Sequence, residues 1–81
     1  MTQDDVFTVV KKNIREVLDH LNGQEIPLEA SLKDLGANSL DRADITVQCM
    51  EDLQLKIPLV EFGGINNIEG LVNLLTRKVN E

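Results

Sequence analysis

Apolar residues recur at helical spacing in three stretches of this chain, and polar ones fill the intervals. In the first stretch, Val6, Val9, Val10, Ile14, Val17, Leu18 and Leu21 share a face, with Lys11, Lys12, Arg15 and Glu16 on the other side. That spacing predicts a helix from about Gln3 to about Leu21. Thr2 stands where a cap is needed, and Asp5, three residues on, completes a capping-box pattern. Asn22-Gly23 is a stop signal. No periodic run follows until Asn38. The apolar anchors Ile26, Leu28, Leu32 and Leu35 lie around and beyond Pro27, and they predict a long loop pinned across the helices. Ser31 is positioned to cap one short turn, Ser31 to Asp34.

The second helix is expected from Ser39 to about Leu53. Leu40, Ala43, Val47 and Met50 fall on one stripe, and Ile45, Cys49 and Leu53 lie nearer another. This arc is broader than a single core contact requires, so part of it is available to a partner. Leu53 to Ile57 alternates as a strand would. Pro58 follows at once and no second alternating run exists to pair with it, so it reads as a loop. Leu59 to Phe62 predicts a single helical turn stopped by Gly63-Gly64. Those glycines lack the lysine and flanking pattern of a phosphate-cradling loop. Asn67 caps a last helix whose face is Ile68, Leu71, Val72, Leu75 and Val79, with Arg77 and Lys78 in the final turn, where cations suit the dipole. The sum is an all-α bundle of three main helices and one short one, with a long first loop, in a single domain spanning 1–81.

Composition narrows what such a bundle can do. Hydrophobic residues make up 42% of the chain, enough for a modest core, and only Phe7 and Phe62 are aromatic. The net charge of −6 argues against a nucleic-acid partner and for basic patches on other proteins. No apolar run is long enough to span a membrane. The acidic N-terminus lacks the features of a secretory signal, and the lone Cys49 calls for no oxidising compartment, so a cytoplasmic location and a monomer are expected. Cys49 reads as a small core residue; a reactive thiol is the other reading. His20 reads as a solvated surface histidine, since no second ligand is spaced to join it at a metal.

The candidate chemistry is in Leu35-Gly36-Ala37-Asn38-Ser39-Leu40-Asp41. Gly36 permits a sharp turn, and Asn38 can cap the helix, so Ser39 is not needed as the cap. Its hydroxyl would stand exposed at the positive end of a helix dipole, a setting that suits an attached phosphate. From these seven residues alone, an ordinary serine at a helix start is an equally good reading.

The run resembles the phosphopantetheine attachment motif of acyl carrier proteins. The resemblance extends over nearly the whole chain, through Ser31-Leu32, the acidic second helix, Ile57-Pro58 and the face of the last helix. It implies an acyl-carrier-protein-like four-helix fold. It implies too that a phosphopantetheinyl transferase esterifies Ser39 with 4′-phosphopantetheine from coenzyme A, and that acyl thioesters ride on the arm. The carrier itself catalyses nothing and binds no metal. The family's docking surface is the second helix, which carries Asn38, Leu40, Asp41, Arg42, Asp44, Val47, Met50, Glu51 and Asp52 here. Two positions depart from the usual pattern. Asn38 stands where the family usually has aspartate, keeping the capping oxygen without the charge. Arg42 interrupts an otherwise acidic surface and is suited to rejecting partners that expect an unbroken one.

Asn38 through Ile45, Met50 through Leu53, Ile57-Pro58 and Gly64 through Ile68 resemble the free-standing carriers encoded with β-branching enzymes of polyketide pathways. That likeness implies a chain loaded with malonyl by an acyltransferase and converted to acetyl by a decarboxylating ketosynthase. The acetyl group then passes to an HMG-CoA-synthase-type enzyme. The runner-up is a fatty acid carrier or another polyketide or peptidyl carrier. Two further classes compete. An enzyme would need a nucleophile with a base, paired carboxylates or a metal site; the sole histidine is far in sequence from Ser39 and no lysine stands near it. An acidic interaction module without an arm is compatible with composition alone.

Overall fold

Side-chain caps set where each helix begins. Thr2 Oγ1 accepts from the Asp5 N–H at 3.1 Å, and Asp5 returns the bond to the Thr2 N–H at 3.1 Å, opening α1 (Gln3–Val17). Those bonds hold the exposed Asp5 carboxyl below its ordinary range. Asn38 and Asp41 form the same reciprocal pair ahead of α2 (Ser39–Leu53), and Asn67 Oδ1 accepts from the Gly70 N–H at 2.8 Å ahead of α3 (Ile68–Val79). These are the capping residues expected from the sequence, because a cap is decided within three residues of chain.

The computed structural model describes residues 1–81 as an all-α fold: three α-helices, two 3₁₀ turns (Asp19–Leu21 and Leu59–Phe62) and no strand. The expected helix through Leu21 is broken. Leu18 leaves the helical region (φ −110, ψ 79), and a 3₁₀ turn follows. The last α-helical bond runs from Leu18 N–H to Ile14 O at 2.8 Å, Leu21 N–H then bonds Leu18 O at 3.0 Å, three residues back, and both leucines stay buried across the tighter turn. The short helix expected at Leu59 to Phe62 is likewise a 3₁₀ turn, tied to α3 by Lys78 Nζ at 3.4 Å from Glu61.

Gln54 ends α2 in the left-handed region (φ 56), and Leu55 N–H reaches back to Met50 O at 2.8 Å. This closure satisfies helix-end carbonyls and leaves Gln54–Ile57 as a loop rather than a strand, with Leu53 still in α2.

Val6, Val10 and Ile14 of α1, Ile45 and Cys49 of α2, and Ile68, Val72 and Leu75 of α3 are fully buried. The first helix packs against both others, whereas α2 and α3 touch each other little. The long loop is pinned as expected: Ile26 is buried, and Leu28, Leu32 and Leu35 pack on the core. Its backbone also closes the start of α3. Ala30 O accepts from the Ile68 N–H and Leu28 O from the Glu69 N–H, both at 2.9 Å. The gap left between α2 and α3 is therefore walled by loop residues.

Asn13 is a buried amide in the apolar stripe of α1. Its Nδ2 donates to Val9 O at 3.1 Å and to Asp52 Oδ2 at 2.9 Å, and lies 3.6 Å from Cys49 Sγ. The Asn13 bond, helped by Lys12, lowers the Asp52 pKa. A depressed carboxylate adds stability above its unfolded value and loses it as pH falls through the folded value. Asp52 is partly open to water, so solvent screens part of the gain. Asn13→Ala is expected to cost about 1–3 kcal/mol in urea unfolding at neutral pH. The difference from wild type should shrink on acidification. An unchanged unfolding midpoint would show that the amide contributes nothing.

Candidate functional site

The loop before α2 is shaped by one residue. Gly36 has φ +98, in the left-handed region that favours glycine. The ring of His20 sits where a side chain would project, 3.4 Å from the position of a Cβ, and its Nε2 donates to Leu35 O at 3.0 Å. A carbonyl only accepts, so Nε2 carries the proton. His20 is exposed as expected, yet it is more than a solvated residue, because it clips the end of the first helical region to the turn that delivers Ser39.

Ser39 is the first residue of α2 and is exposed. Asn38 Oδ1 accepts from the Asp41 N–H at 2.8 Å, so the amide performs the capping and the Ser39 hydroxyl does not. The hydroxyl has one partner, Arg42, whose Nη2 donates to Oγ at 3.2 Å. Beside it opens a cleft of about 560 Å³ whose lining includes Lys33, Arg42, Thr46, Phe62, Ile65 and Leu71. An exposed, uncommitted hydroxyl with a cation at hand and an open cleft alongside fits a phosphate-linked prosthetic group. Such a group would be joined at Ser39 and would supply a thiol that holds acyl groups.

The structure divides the candidate docking residues. Leu40, Asp44, Val47 and Glu51 recur every three or four residues and are exposed, Leu40 by 76% and Val47 by 38%. Met50 borders them, half-buried, and helps line an open hollow with Val47, Glu51, Leu55 and Pro58. Asn38 and Asp41 bond to each other as the cap, and Asp52 is tied to Asn13 and Lys12. The core side of α2 is Ile45, Thr46, Cys49 and Leu53. Cys49 is the small core residue: it is fully buried, and burial pushes its thiol up to about 12.

Sequence reasoning missed Asn13, and it placed Lys33 only in a turn. For Asn13 the signal was an amide interrupting an apolar stripe. For Lys33 none existed, because only the folded loop brings it to the cleft.

A family model described as a phosphopantetheine attachment site matches residues 8–75. The polyketide biosynthesis acyl-carrier-protein AcpK of Bacillus subtilis (strain 168) is 44% identical over 79 residues, covering 98% of this chain and 96% of that one. An acyl carrier protein of Petrotoga mobilis is 36% identical, covering 99% and 94%. Among solved structures, a chain from the curacin biosynthetic pathway HMG synthase in complex with acetyl donor-ACP superposes with a TM-score of 0.91. It is 38% identical and covers 96% of this chain and 100% of that one. The chain belongs to the acyl carrier proteins, the phosphopantetheine-bearing family whose members carry acyl groups and do not catalyse.

Proposed function

We propose that Ser39 bears the 4′-phosphopantetheine arm and that the chain is the acetyl donor to an HMG-CoA-synthase-type enzyme in polyketide β-branching. The observation that carries this reading is the end-to-end likeness to a chain from the structure of an HMG synthase in complex with acetyl donor-ACP, at 38% identity and a TM-score of 0.91. The 44% identity to a polyketide carrier supports the pathway class. The hydroxyl of Ser39 supports the attachment point, since it is exposed and spared the capping role.

A phosphopantetheinyl transferase installs the arm. An acyltransferase and a decarboxylating ketosynthase supply malonyl and then acetyl. The single buried thiol of Cys49 suits a reducing, cytoplasmic setting. One test covers the donor role. The holo carrier is charged with acetyl and mixed with a matched HMG-CoA-synthase-type enzyme, and acetyl leaving the carrier is followed by intact-protein mass. Retention of acetyl with the arm in place would exclude the donor role and favour a fatty acid, other polyketide or peptidyl carrier.

The outward stripe Leu40, Asp44, Val47 and Glu51 is the proposed docking face, with Met50 at its edge. An apolar seam flanked by carboxylates gives a modest contact area and charge that steers encounter. A carrier must release each enzyme, so speed of encounter matters more than tight binding. Asp44→Lys or Glu51→Lys should leave the helical circular dichroism unchanged. Either should slow acetyl transfer at low salt by about tenfold or more, and the deficit should narrow as salt rises. Equal transfer rates would remove this face from the docking model.

A further inference from the structure

The cleft beside Ser39 is cationic in a chain that is otherwise acidic. Its lining residues include Arg42 and Lys33 and no carboxylate. The chain has 14 acidic residues and a net charge of −6, yet neither cation has an acidic partner within ion-pair distance. Asp41, next to Arg42 in sequence, is occupied at the Asn38 N–H. Two unpaired cations lining one cleft, one of them bonded to the serine hydroxyl, are unexpected for a merely solvated surface.

From this geometry we infer that Arg42, with Lys33, seats the phosphodiester of the arm and holds the root of the arm against the cleft between α2 and α3. This rests on Ser39 being the attachment residue. Arg42 stands three residues after Ser39 on the same side of the helix, and its Nη2 already lies 3.2 Å from the oxygen that would become the ester oxygen. A phosphoryl group on that oxygen brings its two free oxygens within reach of the same fork of N–H donors. Guanidinium matches phosphate in geometry as well as charge, and lysine contributes as a point charge. The backbone N–H groups of Ser39 and Leu40, at the first turn of α2, have no acceptor within the chain and add positive potential at the same spot. Arg42 is thus a positioning residue for the arm, in addition to any part it takes in partner choice.

The test compares apo and holo forms of the wild type, Arg42→Ala, Arg42→Lys and Lys33→Ala, with arm attachment verified by mass. Two readouts other than transfer are used: the phosphorus NMR resonance, and the melting difference between holo and apo. In the wild type at low salt, the holo form should melt about 2–4 °C above the apo form, as a weak exposed charge pair would produce in a domain of this size. High salt should erase the difference. Arg42→Ala should abolish it and move the phosphorus resonance, Arg42→Lys should keep part of it, and Lys33→Ala should reduce it. Arg42 is exposed, so the apo variants should fold; should Arg42→Ala unfold, the comparison passes to Arg42→Lys and Lys33→Ala. If the arm attaches and both readouts are indifferent to residues 33 and 42, the seat does not exist. If no arm attaches to any form, the assignment of Ser39 itself fails.

Discussion

Ser39→Ala is expected to abolish attachment of the arm while leaving the fold unchanged. The hydroxyl is exposed, carries no cap and has Arg42 as its one hydrogen-bond partner, so removing it exposes no helix-end donor. Surface substitutions of this kind stay within about 0.5 kcal/mol. The chemical effect is total, because the only oxygen available for esterification at that position is gone. Incubation with coenzyme A and a promiscuous transferase should give the wild type a mass gain of one arm and the variant none.

A thiol assay provides an independent readout. Cys49 is buried, and burial pushes its thiol up to about 12, so at neutral pH it holds far less thiolate than an ordinary thiol. In native protein an alkylating reagent should therefore find one fast thiol in the holo wild type, that of the arm. It should find none in the apo protein or in Ser39→Ala. A mass gain that persists in the variant would place the arm on a different side chain. A fast thiol in the apo protein would mean that Cys49 opens to solvent.

The parts of this molecule legible in the sequence are those decided over a few residues. Thr2, Asn38 and Asn67 could be read as caps because the groups they serve lie three positions on. Gly36 could be read as a turn residue because a positive φ is a local demand. The exposure of Ser39 followed from Asn38 taking the cap. What could not be read depends on neighbours distant in the chain. Asn13 meets Asp52 across 39 residues, and its amide looks out of place until that partner is known. Lys33 reaches the cleft only because loop carbonyls at Leu28 and Ala30 fasten the loop to α3.

The two apolar stripes of α2 were visible, but their spacing alone did not say which of them the core takes. The structure buries Ile45, Cys49 and Leu53 and leaves Leu40 and Val47 in water. That choice belongs to α1, against which α2 packs. Leu18 shows the same logic on a smaller scale. Periodicity alone extends the first helix to Leu21, and the passage to a 3₁₀ turn after Leu18, which keeps both leucines buried, does not show in it.

Ile14→Ala should do the opposite of Ser39→Ala, weakening the fold that the transferase recognises while keeping the hydroxyl. Ile14 is fully buried on the helix that packs against both others, so its side chain belongs to the one core that holds α2 and α3 in place. Truncation loses the transfer energy of the deleted carbons and leaves a void that the surroundings fill only in part, about 2–5 kcal/mol. A domain of this length has of the order of 4–12 kcal/mol to lose, and each kcal/mol lowers the melting midpoint by about 4–8 °C. The midpoint should fall by about 8–40 °C. Because α2 and α3 touch each other little, no second interface compensates for a weakened α1. Arm attachment should then track the folded fraction. It should be normal well below the new midpoint and lost above it, whereas Ser39→Ala fails at every temperature. A midpoint within 3–4 °C of wild type would mean that the bundle closes around the missing carbons and that α1 is not its organising element.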